Sequence, residues 1–489
     1  MAIPRHTTNM KIDRIHLTAS GVNKYPAKQH AQAVARKLET SDGLIYLLGQ
    51  YAFEIEDSDA SKTWRQRRYF YYCSGVDVPD CCLTYDIKHD HLVLYIPEIH
   101  PDRVVWVGRG PTIEEAYDRY DVDTVRLNGQ LFSDLDYWKV HNPNSTFYIL
   151  HDDQRPEGKE FPEVDSKKLQ HAIDLCRTIK DSHEIALLRQ AQEVARIAHT
   201  AVLKNILRFK QESQIEGLFT YALISNLSKP AYPVIAGSGE NAGVLHYTQN
   251  NEPLKGRQLV CMDAGGEVGL YSSDVTRTFP LGEDWPTKEA RDIYKLVENI
   301  QETLIPMLKP GVQLIDLHIL TLKMVGEGLL KLGILHNATP EELYGAGTAK
   351  GFYPHGIGHQ LGLEVHDTLG VPILKYKPDA VLAGKRMVGA VFPKDQPKLQ
   401  ENMVITIEPG IYFSRYELER AYLSSSVHSK YINRKVLDKY WAVGGVRIED
   451  DLLITADGYE NLTTAPKGEA ALKIIREGRH NSTGLFDDL

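Results

Sequence analysis

Short β-rich apolar runs alternate with amphipathic stretches of helical period along the first third of the chain. Leu44-Ile-Tyr-Leu-Leu48, Tyr69-Phe-Tyr-Tyr72, Leu92-Val-Leu-Tyr-Ile96, Val104-Val-Trp-Val107 and Phe147-Tyr-Ile-Leu150 are bounded by Gly, Pro or Asp and are predicted as strands. Residues 27–38 and 112–120 are predicted as helices, and the polar run 152–168 as a loop. Alternation of this kind argues an α/β class. A new helix starts near Asp181, which with Glu184 resembles an N-cap and its partner three residues on. Ile185, Leu188, Val194, Ile197 and Ala201 then follow at helical spacing, and a domain boundary is placed just before them. Residues 288–304 and 315–332 repeat the amphipathic pattern, the second stopped by Gly333. The division is therefore 1–178, 179–479 and a loose tail 480–489.

Composition narrows the function more than the fold. The 489 residues carry 56 Lys plus Arg against 65 Asp plus Glu, a formal charge of −9, which argues against a phosphate-binding nucleic-acid partner. The apolar runs are far shorter than the roughly 18–20 residues a membrane span needs, so no membrane partner is expected. Five cysteines are too few, and odd in number, for a disulfide framework, which points to a reducing compartment. The first 17 residues lack the apolar core of a secretory signal, and Asp13 speaks against reading Arg5, Lys11 and Arg14 as an organelle leader. A cytoplasmic protein is expected.

Four segments of the second domain could carry chemistry. In Leu259-Val-Cys-Met-Asp263-Ala-Gly-Gly-Glu267 and Tyr271-Ser-Ser-Asp274-Val-Thr-Arg-Thr-Phe279, two carboxylates eleven residues apart can face each other across a hairpin, with Asp274 in the middle of the returning strand. Carboxylates that close require a proton or a cation, although singly each also reads as a turn Asp and a solvated Asp. Pro354-His355-Gly-Ile-Gly-His359-Gln-Leu-Gly-Leu-Glu-Val-His366 concentrates three histidines without forming H-E-x-x-H, and its glycines argue against a helix. Met403-Val-Ile-Thr-Ile-Glu408-Pro-Gly places a carboxylate at a strand end. In Gly444-Gly-Val-Arg447-Ile-Glu449-Asp-Asp451, strand alternation puts Arg447, Glu449 and Asp451 on one face, either solvated or neutralised by something bound. Four carboxylates with one imidazole are the donor set of two hard divalent ions, Mn²⁺ before thiolate-type zinc, and such a pair can lower the pKa of a shared water.

In that order, Asp263, Asp274, His359, Glu408 and Glu449 resemble the dinuclear metal signature of the M24 peptidases, with their pita-bread fold, and within them the aminopeptidase P and prolidase branch. The resemblance implies a pita-bread catalytic domain behind a smaller creatinase-like α/β domain. It implies two Mn²⁺ ions per chain: Asp263 and Asp274 on one, Asp274 and Glu449 bridging, His359 with Glu408 completing the other. It implies that Glu408 also shuttles protons, that His246, within Gly237-Ser-Gly-Glu-Asn-Ala-Gly-Val-Leu-His246-Tyr247, and His366 hold the scissile carbonyl and the proline side, and that His355 and Arg447 orient ligands and pass protons. Arg447 and Tyr232 are also carried as substrate-binding. The implied activity is removal of the first residue from peptides with proline second, by a metal-activated hydroxide. Prolidase, acting on Xaa-Pro dipeptides, is the alternative, and a catalytically silent peptide-binding module the remote one. Family members commonly form dimers, so a homodimer is an expectation of the resemblance. Two positions depart from the family pattern: Asn402 stands where a Gly usually precedes the strand, and Lys394, in the loop 391–400, stands where prolidases carry the Arg thought to hold the dipeptide carboxylate.

Overall fold

A computed structural model describes residues 24–60, 62–375 and 392–479. The expectations for the first 17 residues and for the tail 480–489 lie outside the described residues, as does Val391. Among the described residues, contacts give two compact units, one of residues up to 183 with 368–371, the other of 184–367 with 372–375 and 392–479.

The first unit is built on a six-stranded mixed sheet of order β4-β3-β2-β1-β5-β6. Its strands are β1 (Leu44–Leu48), β2 (Cys82–Asp86), β3 (His91–Ile96), β4 (Thr124–Leu127), β5 (Phe147–Tyr148) and β6 (Val164–Asp165). The β1–β2 and β2–β3 pairs are antiparallel, whereas β1–β5, β3–β4 and β5–β6 are parallel. Six helices accompany them: α1 (Ala27–Lys37), α2 (Arg68–Ser74), α3 (Pro101–Val107), α4 (Ile113–Arg119), α5 (Leu131–His141) and α6 (Lys168–Thr178). A capping box between Thr112 and Glu115 starts α4 where the sequence places it.

Two predicted strands are helices. The aromatic run Tyr69–Tyr72 lies in α2, which Gly75 closes at φ +67°. Every residue of α2 except Tyr69 is buried, so its aromatics gain helical packing in place of a sheet face. Val104–Val107 ends α3, which opens with Pro101 at its first turn and stops at Gly108, φ +74°. None of its residues is buried, and β-branched side chains favour strands through packing that is missing here. Strand β2 was not predicted, and β6 lies inside the stretch read as loop.

The second unit begins with α7 (Ser182–Asn205) and α8 (Glu212–Ser225). A three-stranded sheet joins β7 (Lys229–Pro230), β10 (Gly266–Val268) and β11 (Tyr271–Ser272), and another joins β8 (Ile235–Ser238), β9 (Leu259–Asp263) and β12 (Thr276–Pro280). Helices α9 (Lys288–Leu304), α10 (Leu314–Lys331) and α11 (Pro340–Ala346) follow. The remaining sheets join β13 (Val404–Ile407), β16 (Asp450–Ile454) and β17 (Tyr459–Asn461), and β14 (Gly410–Tyr412) with β15 (Gly445–Arg447). Helix α9 shows why the amphipathic reading holds: Ile293, Val297, Ile300 and Leu304, at helical spacing, are all fully buried.

Candidate metal centre and active site

Each carboxylate stands where a strand begins or ends. Asp263 closes β9, and Glu408 follows β13. Asp274 lies two residues ahead of β12 rather than in the middle of a strand, because the β10–β11 hairpin intervenes and Thr276 is the residue paired with Asp263. Glu449 occupies the break between β15 and β16, so Arg447 and Asp451 belong to different ladders. His359 sits on an irregular segment drawn against β13: its N–H donates to Thr406 Oγ1 (3.1 Å), and the Thr406 N–H donates to His359 O (2.9 Å). A Cβ on Gly358 would fall 2.0 Å from Thr406 O, so only glycine permits this approach. Ahead of β13, Asn402 takes φ +66°, the left-handed conformation that glycine adopts and asparagine tolerates. The departure from the family pattern therefore keeps the backbone shape.

The five side chains converge. Ligand atoms of Asp263, Asp274 and Glu449 lie within 4.8 Å of one another, and so do those of His359, Glu408 and Glu449. His359 Nε2 is 3.4 Å from Asp274, 3.6 Å from Glu408 and 3.9 Å from Glu449. Its Nδ1–H donates to Gln360 O at 3.0 Å, which turns Nε2 toward the carboxylates. His366 stacks edge-on against His359 with centroids 4.4 Å apart, and His246 lies 6.4 Å from His366. His246 and His366 are exposed as whole residues, although a ring nitrogen of His366 lies within 4.8 Å of ligand atoms of Asp274 and His359, so the inner side of its ring is screened.

A web of neutral and cationic groups fixes these donors. Arg447 donates to Asp263 Oδ2 (2.8 Å), Thr276 Oγ1 (3.0 Å) and the Tyr412 hydroxyl (3.0 Å). Thr276 Oγ1 in turn donates a hydrogen bond to Glu449 Oε2 at 2.7 Å. His355 Nδ1–H donates to Gly356 O (2.7 Å), leaving Nε2 to accept from Tyr412 (2.8 Å), while Glu408 Oε2 lies 3.6 Å from Nδ1. The Tyr232 hydroxyl is 2.6 Å from Asp263 Oδ1 and 2.7 Å from Asp274 Oδ1, and its one proton serves one carboxylate at a time. Tyr232 and Arg447, expected at the substrate, are thus found bonded to ligand carboxylates and their supports. Asp451, a further buried carboxylate, accepts from the Asp274 N–H at 2.8 Å and from Gln192, and so holds the Asp274 backbone.

The electrostatics test whether cations fit. Burial raises Asp263, Glu449 and Glu408, and neighbouring carboxylates raise them further; Glu408 is pushed up to about 7 against the pull of His359 and Arg447. Burial would pull His359 down, yet its hydrogen bond to Asp274 and the nearby Glu408 carry it up to about 9. At Asp274 burial is the largest influence and raises the pKa, but the hydrogen bond and charge of His359, the Tyr232 hydrogen bond and the charge of His366 together lower it. His355 and His366 go the other way, down to about 3 and 4, mainly through burial and then through the cations Arg447 and His359 respectively. Four carboxylates that cannot all ionise together, drawing a proton onto the imidazole between them, are a site short of positive charge. Divalent cations fit that shortage.

Residues 186–456 match the model of metallopeptidase family M24, and residues 27–147 match the aminopeptidase P N-terminal domain. The chain belongs to metallopeptidase family M24. This M24 peptidase is 51% identical over 494 residues to a probable Xaa-Pro aminopeptidase of Pyrenophora teres f. teres, covering 97% of this chain and 53% of that relative. It is 50% identical over 475 residues to a probable Xaa-Pro aminopeptidase of Aspergillus clavatus, with 96% of each covered. Among solved structures, aminopeptidase P from E. coli with the inhibitor Pro-Leu superposes with a TM-score of 0.76 at 25% identity, covering 94% of this chain and all of that one. Aminopeptidase PepP of Pseudomonas aeruginosa superposes with a TM-score of 0.75 at 25% identity and the same coverage. The fold is that of aminopeptidase P, an N-terminal α/β domain and a pita-bread M24 domain, and M24 membership makes it a metallopeptidase that uses divalent ions. Among the described residues, no helix is long and apolar enough to cross a membrane.

The sequence named all five converging donors. It did not single out Thr276, Thr406 or the Tyr412 hydroxyl, because a single hydroxyl on a strand carries no spacing signal.

Proposed function

We infer that this M24 peptidase is an Xaa-Pro aminopeptidase, hydrolysing the bond between an N-terminal residue and a proline in second position. The observation that carries this reading is the convergence of four carboxylates and the His359 imidazole in a fold shared, at about half identity and over nearly its whole length, with the probable Xaa-Pro aminopeptidase of Aspergillus clavatus. Asp263 and Asp274 would hold one cation and His359 with Glu408 the other, with Asp274 and Glu449 placed to serve both. Bound there, such a pair would supply a water of lowered pKa and polarise the scissile carbonyl. Oxygen donors with one imidazole favour Mn²⁺, two ions per chain.

The chain's own residues then divide the work. Glu408 Oε would take the proton of the attacking water and return it to the proline nitrogen as the bond breaks, a general acid–base role that its place among the donors suits. His246 and His366, exposed at the mouth, hold the carbonyl and the proline side of the peptide. His366 is kept neutral by its low pKa, so it can donate one hydrogen bond and accept another. Arg447 donates to Asp263 and to the Tyr412 hydroxyl, and Tyr412 donates to His355 Nε2, a line of hydrogen bonds that holds Asp263 and ends beside Glu408, whose Oε2 lies 3.6 Å from His355 Nδ1. Tyr232 orients Asp263 and Asp274.

The pita-bread domain is taken as residues 179–479, preceded by 1–178. The five cysteines are all buried, and an odd, small set of buried thiols suits a reducing, cytoplasmic setting; a homodimer is the assembly carried from the family. Metal analysis paired with cleavage of matched Xaa-Pro-Xaa and Xaa-Ala-Xaa tripeptides tests the reading: about two divalent ions per chain and release of Xaa only before proline are expected, and a metal-free active enzyme contradicts it.

A further inference from the structure

Gln301 lies on the buried face of α9 with no solvent exposure. Its Nε2 donates to two backbone carbonyls, Ile407 O and Ile448 O, at 3.2 Å each. The amide has one orientation only, because Lys467 Nζ, which can donate but not accept, lies 2.5 Å from Oε1. Ile407 and Ile448 immediately precede Glu408 and Glu449. The peptide units that Gln301 holds are therefore those from which the two glutamates project. Their N–H sides are held as well: Glu408 N–H donates to Ile357 O (2.9 Å), and Glu449 N–H to Thr276 O (3.1 Å).

This clamp sits where regular pairing stops. The β13–β16 ladder ends at Ile407 opposite Asp450, and the β14–β15 ladder starts at Gly410 opposite Arg447. Across the gap runs a 3.3 Å bond from Ile448 N–H to Pro409 O. In an unbroken ladder the register would fix the spacing of two facing residues; here a side chain from a helix more than a hundred residues earlier ties the two strands at that point. Gln301 touches none of the donor atoms, so its influence passes through the backbone.

We propose that Gln301 is a positioning residue that sets the separation of Glu408 and Glu449, and with it the affinity of the His359–Glu408–Glu449 side of the site for its cation. The proposal rests on the metal reading above. Gln301→Met keeps the chain length and removes both donors; Gln301→Glu keeps an acceptor for Lys467 and removes the double donor. Val297→Ala, one turn away on the same buried face, serves as a control for simple loosening of α9.

The experiment is calorimetric titration of the metal-stripped full chain with Mn²⁺, read beside the electron paramagnetic resonance signal of the coupled Mn²⁺ pair. Wild type is expected to show two sites and a coupled signal. Both Gln301 variants are expected to retain one site near wild-type affinity, to weaken the other at least tenfold, and to lose most of the coupled signal, while Val297→Ala titrates as wild type. If Gln301→Met does not fold, the Gln301→Glu isotherm decides. Gln301 variants indistinguishable from wild type overturn the proposal alone, and so does an equal loss in Val297→Ala. A wild-type chain that takes up no Mn²⁺ overturns the metal reading and this proposal with it.

Discussion

At Glu408 one carboxyl group is given two tasks, holding charge against a cation and moving a proton. Its position allows both: one oxygen lies 3.6 Å from His359 Nε2 and the other 3.6 Å from His355 Nδ1. Glu408→Gln keeps the shape and removes both the ligand charge and the exchangeable proton. General acid–base help alone is worth about 10²–10⁴-fold, so kcat is expected to fall by at least about 10²-fold, with metal content measured on the same sample. His359→Ala removes the imidazole among the carboxylates and is expected to lower turnover and metal occupancy together. His246→Ala and His366→Ala, on the exposed side, are expected to lower turnover far more than occupancy; a His366→Ala protein stripped of metal would mean that ligand and substrate histidine are interchanged. At this scale three of the five donors carried a local mark in the sequence: a Gly-Gly turn after Asp263, Pro-Gly after Glu408, two glycines before His359. Tyr232 carried no such mark, and its place between two aspartates depends on β-hairpin geometry that spacing does not reveal.

Between elements, buried charge does the joining. Arg277 of β12 pairs with Asp450 of β16 at 2.8 Å, both almost wholly buried, and Lys467 completes the group at 2.9 Å. Arg277 also donates to the carbonyls of Thr276 and Glu449 at 3.0 and 2.7 Å. Removing one partner of a buried pair typically costs about 3–5 kcal/mol, so Arg277→Met is expected to lose at least about 3 kcal/mol in urea unfolding. Helix α10 carries a pH-sensitive counterpart. Burial, aided by Lys350, holds His318 down to about 4, so it is neutral in the fold and protonates near 6.5 only when unfolded. The sign follows: its stabilisation is complete above pH 6.5 and is lost as pH falls toward 4, by up to about 1.4 kcal/mol per unit. His318→Leu is therefore expected to flatten the decline between pH 6.5 and 5, measured by urea unfolding at each pH. Helices α7, α9 and α10 were readable from their apolar period, whereas α8 and α11 were not singled out; in the first unit α2 and α3 were misread, because aromatic and β-branched residues outweighed the Pro101, Gly108 and Gly75 boundary signals, and in the chain the boundaries prevail.

For the molecule as a whole, the proposed activity carries an expectation about substrate length, which rests on the position of Lys394 in the sequence. Lys394, at the position read as the prolidase Arg, is exposed, and its neighbour Gln396 is tied to the backbone of Lys375 and Pro393. A flexible ammonium is a weaker carboxylate clamp than a guanidinium fork. Xaa-Pro-Xaa tripeptides are expected to be cleaved at least as efficiently as Xaa-Pro dipeptides, compared by kcat/KM at equal metal loading. The α/β class and the ordered donor set were legible because both are written in local patterns. The depth to which those donors are buried was not, since Arg447, Glu449 and Asp451 read equally well as a solvated strand face until β9, β12 and β13 are packed around them. The most direct test follows release of the first residue from an Xaa-Pro-Xaa tripeptide, with an Xaa-Ala-Xaa control, while chelator-treated enzyme is titrated with Mn²⁺. Activity that rises from near zero to a plateau at about two Mn²⁺ per chain, on the proline peptide alone, is the predicted result; full activity before any Mn²⁺ is added, or equal cleavage of the alanine peptide, would contradict it.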